Sequence, residues 1–352
     1  MVSLTSMIKG KANRDIDFQK IMRNVIPKRE KFYTLSQHDA FSSQYVIQAP
    51  YQLSNTYYSS IIGTAFDYLA RLIIAKKVSW AKDEVWIDSA SERGLKMLVR
   101  ITPDIVGKKL FRKYNKGLSL AKQFVRGTTE ITTDLLNHST YMARLEHVMR
   151  SGLAPESIKD SLLSEEEFQV ITELGRICDV FQNEFMIPEI ITIESDVVFN
   201  PHFGISSIAS GSADADIFID GVLYDFKTTK IIGYRWQDIA QVFGYYFLHE
   251  ISNRGNDVQS MLQGKKITSL ALYKARYGEV EKVNISDMDL EKMNNARNEI
   301  ANFLRMDIHS EYRTTHSKIK RLHDEGRKEF SLLNPFCNLF ICVIVVIFIL
   351  II

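Results

Sequence analysis

Residues Gly211–Lys230 read GSADADIFIDGVLYDFKTTK, and the Asp220-Gly221 pair near their centre decides how the chain is read. Asp-Gly between alternating apolar residues is the strongest short-range signal for a two-residue β-hairpin. The stretch predicts strands over Asp214–Ile219 and Val222–Lys227, with facing residue numbers that sum to 441. Asp216 then faces Asp225, and Asp214 faces Lys227. Successive side chains of a strand alternate between its two faces, so all four share one face of the sheet. Directly opposed Cβ atoms lie roughly 4.5–5.5 Å apart, and two carboxylates that close repel unless a cation sits between them. Hard divalent cations bind through one or two carboxylates and keep several waters. Lys227, on the same face as Asp225, is placed to orient or activate a water or to hold charge on a phosphate. The pattern predicts a metal-dependent phosphodiesterase site with Mg²⁺ or Mn²⁺ as its cofactor.

Downstream, Trp236–Ile251 has helical periodicity, with Ile239, Phe243, Tyr246 and Phe247 apolar. The i,i+4 spacing puts Gln241 and Tyr245 on one face of that helix. Upstream, Gly63–Lys77 carries the apolar stripe Phe66, Leu69, Ala70, Leu72 and Ile73, and Asp67 and Arg71 share a face. An i,i+4 surface pair is the plain reading of those two.

Together these elements resemble the PD-(D/E)xK nuclease superfamily, in particular its RecB-like branch. Ala215-Asp216-Ile217-Phe218-Ile219 stands where that branch has Pro-Asp and an apolar strand. Asp225-Phe226-Lys227-Thr228 matches its Asp-x-Lys-Thr strand, and Gln241-Val242-Phe243-Gly244-Tyr245 matches its Gln-x-x-x-Tyr helix. Gly63-Thr64-Ala65-Phe66-Asp67 aligns with a Gly-x-x-x-His helix but carries Asp, a residue type that can still bind a hard metal. The resemblance covers roughly residues 60–77 and 190–280. It implies an α/β fold with a restriction-endonuclease-like core, a small mixed central sheet flanked by helices, and a helical insertion. It also implies Mg²⁺-dependent cleavage of nucleic acid, with DNA favoured. Asp216, Asp225 and the Phe226 carbonyl would hold the metal, with Asp67 as a further ligand. Lys227 would assist the attacking water, and Gln241 and Tyr245 would position substrate or lysine. A nuclease-like module that binds nucleic acid or a protein without cutting is the alternative.

Length and composition allow this. The chain has 352 residues, 45% hydrophobic and 24% charged, an ordinary globular composition with length for a buried core. A net charge of +2 neither demands nor excludes nucleic acid. The cysteines, Cys178, Cys337 and Cys342, lack metal-ligand spacing, which fits a reduced cytoplasmic setting. Met1–Arg14 has no apolar run of the kind a signal peptide needs.

The expected organisation is a mixed irregular and helical segment over 1–62, a first core helix within 63–87, and a helical insertion over 88–187. The nuclease core resumes over 188–285, followed by a charged helical segment over 286–335 and an apolar tail over 336–352. Within the insertion, helices are expected at Ala90–Ile101, Gly107–Arg126, Thr132–Met149 and Glu165–Glu184, the last started by a Ser164/Glu167 capping box. Gly107–Arg126 carries Lys108, Lys109, Arg112, Lys113, Lys116, Lys122 and Arg126, no acidic residue, and interleaved Phe111, Tyr114 and Phe124. Such a segment suits phosphate contact and base stacking, against the plainer reading of a solvated helical face. Ile190–Phe199 and Ile267–Tyr273 are expected strands, and Arg276 at the end of the second is a candidate phosphate ligand beside a structural ion pair. The tail Phe336–Ile352 has 17 residues, at the short edge of a bilayer span. Membrane contact, a buried core strand and read-through of a shifted frame are its alternatives.

Overall fold

The computed structural model describes residues 3–53, 56–86 and 89–304. The chain opens with α1 (Leu4–Lys9), α2 (Asn13–Val25) and β1 (Tyr33–Thr34). A long helix, α3 (Thr56–Lys77), leads into a helical block of α4 (Ala90–Ile101), α5 (Asp104–Val125), α6 (Thr133–Ser151) and α7 (Phe168–Glu184). Then follow β2 (Val197–Phe199), α8 (Ile205–Ala209), β3 (Ile217–Ile219), β4 (Val222–Lys227), α9 (Trp236–Arg254), β5 (Ser269–Lys274) and β6 (Glu279–Asn284). Residues up to 300 form one unit. Of a second unit, Ala301–Ile352, only residues 301–304 are described, and they are helical. The tail Phe336–Ile352 lies outside the described residues, among which no helix is long and apolar enough to cross a membrane.

The protein is α/β, with a mixed six-stranded sheet in the order β1-β6-β5-β4-β3-β2. Every neighbouring pair is antiparallel except β4 and β5. Parallel strands need a crossover long enough to return the chain to its starting edge. Helix α9 is that crossover and packs on both strands. The hairpin has the anticipated register, with Ile217 opposite Tyr224 and Ile219 opposite Val222. Asp220 and Gly221 both have positive φ, 47° and 86°. That conformation twists with the strands, which is why Asp-Gly favours it.

The two faces of the sheet differ. Val222, Tyr224 and Phe226 of β4, with Ile217, Ile219, Ala271 and Tyr273, belong to one apolar cluster built with α3 and α7. Phe181, Phe185, Phe226 and Tyr273 meet there mostly edge to face. By strand alternation Leu223, Asp225 and Lys227 take the opposite face, toward α9. Phe226 is therefore core while its two neighbours carry charge.

Several boundaries differ from expectation for physical reasons. Ile190 and Ile191 are buried but sit in a turn, their N–H groups donating to Ile187 O, so the strand begins only at Val197. Helix α7 starts at Phe168 without a capping box, because Ser164 Oγ donates 3.0 Å to Lys159 O and closes a preceding π turn. Strand β6 was not anticipated, because Glu-Val-Glu-Lys-Val-Asn looks like a solvated run. Its Glu281 is instead fully buried against Lys274 at 3.5 Å. Glu281 also accepts a hydrogen bond from Phe41 N at 2.9 Å.

Gly221→Ala should cost about 1–2 kcal/mol, because a left-handed conformation is unfavourable for a residue with a Cβ. The added Cβ would also lie 2.9 Å from Thr268 Oγ1. Asp220→Asn keeps an Oδ1 to accept from Asp196 N, now at 2.8 Å, and should stay within about 0.5 kcal/mol of the parent. Urea unfolding of the two variants measures both values.

Candidate active site

The hairpin ladder stops at Ile217, and from there the chain turns to β2. Asp216 O accepts from Asn200 N at 3.1 Å, Ala215 N donates to Pro201 O, and Asp214 pairs with His202. Asp216, the residue just before the ladder, stays close enough to Asp225 to feel its charge, and its Oδ2 accepts the Phe226 N–H at 2.5 Å. A carboxylate therefore caps the donor that a continuing ladder would have used. In a strand the carbonyl lies on the same edge as the N–H, so the Phe226 carbonyl also faces this end of the hairpin. The expected partnership of Asp214 with Lys227 does not form, because β3 begins after Asp214.

Lys227 joins the two halves of the site. Its Nζ lies 2.5 Å from Asp225 Oδ2 and donates 3.1 Å to Gln241 Oε1. Gln241 Nε2 in turn donates 2.7 Å to Tyr245 Oη. The Tyr245 ring stacks on Phe203 at 6.0 Å, which fixes the far end of the chain. Asp225, Lys227, Gln241 and Tyr245 are thus one connected array. Asp225 Oδ2 is buried, and the Lys227 ammonium is the group set against it.

Helix α3 closes the other side. A Cβ added to Gly63 would lie 3.2 Å from Thr228 Oγ1, so the helix passes close to the end of β4. Asp67, one turn on, faces the same end. It does not make the carboxylate pair expected with Arg71; Arg71 Nε donates 2.9 Å to the Asp67 carbonyl oxygen instead.

The acids are held high. Burial lifts Asp216 to about 7, with Asp225 adding to the shift. Burial and then Asp216 lift Asp67 well above the usual carboxylate range. Burial also raises Asp225, against the pull of Lys227. Burial draws Lys227 down, but Asp225, Asp238 and Asp216 outweigh it and keep the ammonium charged. The site therefore carries more negative character than its lysine neutralises. Among the described residues no group of three or more His, Cys, Asp or Glu is arranged to hold a metal ion.

Three contributors escaped the sequence reading. Asp238, in the first turn of α9, is buried, and its Oδ2 has no hydrogen-bond donor. Glu146 and Arg150 of α6 reach the cluster from the helical block. Glu146 accepts from Tyr68 Oη at 2.7 Å and from Arg150 Nε at 2.7 Å. Arg150 also opposes the burial that raises Asp214. An i,i+4 Glu-Arg pair signals only a helix surface; the packing of α6 on α3 is what brings it here.

The expected nucleic-acid contacts lie elsewhere. Lys108 pairs with Asp104 at 3.0 Å, and Lys109 and Arg112 are exposed. Lys113 is committed to the fold, donating 2.8 Å to Leu162 O and 2.9 Å to Ser164 O. Of the interleaved aromatics, Tyr114 and Phe124 are core and only Phe111 is exposed. Arg276 is not open to a phosphate: it is 1% exposed, paired with Glu173, and donates 2.5 Å to Thr228 O and 3.2 Å to Ala49 O. A buried carboxylate and two carbonyls occupy its whole fork.

No protein-family model, no curated protein and no solved structure matches this chain.

A carboxyl raised in the folded state keeps its proton where the unfolded chain has lost it. Stability then falls as pH rises. For Asp216 the interval runs from 3.8 to about 7, and Asp67 and Asp225 act in the same direction. In EDTA the melting temperature should drop across that interval. Asp216→Asn should flatten the decline, and a parent protein whose melting temperature is constant or rising there would remove the electrostatic picture.

Proposed function

We propose that the chain is a metal-dependent nuclease that hydrolyses phosphodiester bonds, DNA by preference, on a restriction-endonuclease-like core of PD-(D/E)xK type. The observation that carries the reading is the array Asp225–Lys227–Gln241–Tyr245 set against Asp216 across a type I′ hairpin. A structural ion pair needs neither the facing carboxylate nor an amide and a phenol lined up behind the lysine.

The residues present fit a hard divalent cation. Asp225 Oδ2 is buried against the Lys227 ammonium, and burial, with nearby carboxylate charge added to it, raises Asp216 and Asp67. Two carboxylates, the Phe226 carbonyl and retained waters suit Mg²⁺ or Mn²⁺. Asp67 is the further acid on that side. A bound cation supplies Lewis acidity toward the phosphate. Lys227 stays charged beside these groups, where it orients an incoming water and stabilises developing negative charge on a phosphate oxygen. Gln241 and Tyr245 hold the ammonium in direction, so the lysine reaches the phosphate already ordered. Lys109 and Arg112 remain available to a strand's phosphates, while Lys113 and Arg276 do not.

The test is incubation with circular and linear, single- and double-stranded DNA in Mg²⁺, Mn²⁺ or EDTA. Cleavage should require the cation. Asp216→Asn and Asp225→Asn should each abolish it with the fold intact. Lys227→Ala should lower it by at least about 10²-fold, the lower range for a positioned acid–base group. Unchanged cleavage by all three variants would remove the activity from this site.

A further inference from the structure

One cavity is unexplained by the reading above. It lies among α3, α4 and α5, encloses about 220 Å³, and its walls include Tyr68, Trp86, Phe111 and Tyr114. Arg71 also lines it, and Arg71 is 8% exposed. The Arg71 guanidinium stacks on the Tyr68 ring at 4.4 Å, and its Nε is used by the Asp67 carbonyl. Among the described residues its two Nη groups have no hydrogen-bond partner. The fork belongs to a side chain more than nine-tenths buried whose charge also acts on Asp67 and Asp214, and beside a cavity walled by aromatic rings it can take a further acceptor.

The outer part of the cavity is different. Glu92 and Lys96 line it, paired at 2.7 Å and both substantially exposed, along with Asn115 and Lys122. The cavity therefore offers a donor fork inside, flat apolar walls, and a carboxylate with ammonium groups at the entrance. A flat ring with two adjacent acceptors on one edge and donors on another matches that arrangement. Guanine has this pattern: O6 and N7 accept a bidentate arginine, and its N1 and N2 donors suit a carboxylate. Aromatic rings stack on any base, and entrance lysines suit the flanking phosphates.

Position strengthens the case. Arg71 and Tyr68 belong to the same turns of α3 that carry Asp67, and Tyr68 Oη donates to Glu146, which abuts the acid cluster. The cavity and the carboxylates are therefore reached from neighbouring residues of one helix.

We propose that this cavity binds a single unpaired guanine of the strand presented to the carboxylate site, with Arg71 reading its O6/N7 edge. The inference deepens the nuclease reading, since it names a base the site would select. The strand enters unpaired at that position because a base can enter a cavity between helices only when it has left its stack.

Binding can be measured without cleavage. Fluorescence anisotropy in EDTA would compare labelled oligothymidylate carrying one guanine, one adenine or no purine. The guanine oligomer should bind about tenfold more tightly than the other two, the scale of a good bidentate contact. Arg71→Lys keeps the charge but loses the fork, and should reduce the guanine preference to that of adenine. Leu118→Trp and, at the exposed entrance, Asn115→Phe should fill the cavity and abolish the preference while circular dichroism and melting stay as in the parent. Equal affinity for the three oligomers would overturn the proposal, as would a guanine preference that survives both filling variants. Guanine selection without any metal-dependent cleavage would sink the nuclease reading alone. Cleavage without guanine selection would sink this inference alone.

Discussion

Two buried aspartates close together at the open end of a β-hairpin, Asp216 and Asp225, set the terms for the rest of the molecule. The turn sets the ladder register as far as Ile217 and Tyr224, and Asp216 and Asp225 are the next residue along on either side. Like charges so placed are unfavourable, and burial makes them more so. The fold answers with one ammonium, Lys227, and one backbone donor, Phe226 N–H, which together do not neutralise the cluster. The remaining charge is met by proton uptake, which is why Asp216 titrates near neutrality. That arrangement, inside an otherwise well-packed sheet, is the physical basis of the proposed activity.

The rest of the fold holds that arrangement in place. One face of the sheet is an apolar layer of Phe181, Phe185, Phe226 and Tyr273 that anchors β4 through the residue between Asp225 and Lys227. The other face receives α9, which brings Gln241 and Tyr245 to the ammonium. Arg276 ties α7, the end of β4 and the loop at Ala49 together through Glu173, Thr228 O and Ala49 O. Breaking a buried pair of that kind typically costs about 3–5 kcal/mol. Its position just beyond the site makes it a support for Thr228 and for the close passage of α3 at Gly63.

Helix α3 has two roles. One side carries Gly63 and Asp67 past the end of β4, and the adjoining side presents Tyr68 and Arg71 to the cavity among α3, α4 and α5. Helix α6 adds Glu146 and Arg150 beside them. The helical block is therefore continuous with the candidate active site, and its basic helix contributes core aromatics, Tyr114 and Phe124, as well as exposed cations.

The elements legible in the sequence were those governed by short-range rules. Asp220-Gly221 specified the turn and with it the register of Ile217–Ile219 on Val222–Tyr224, which leaves Asp216 near Asp225 at the end of the ladder. The i,i+4 spacing placed Gln241 and Tyr245 on one face, and the helical span Ala90–Ile101 was legible from periodicity alone. Tertiary packing decided the rest. Glu281 and Lys274 form a buried pair between β5 and β6, and a charged residue is costly inside a protein unless its partner arrives from another strand. Ile190 and Ile191 looked like a strand because burial, not ladder pairing, was the constraint on them. Arg276 was a candidate phosphate ligand or structural ion pair and Lys113 a candidate phosphate contact or part of a solvated face; their actual partners lie far along the chain, at Glu173 and Leu162. The membership of Glu146, Arg150 and Asp238 in the charged cluster had no local signal at all. Local sequence determines which way a side chain points from its own element, while the identity of the group it meets depends on contacts that only the folded chain creates.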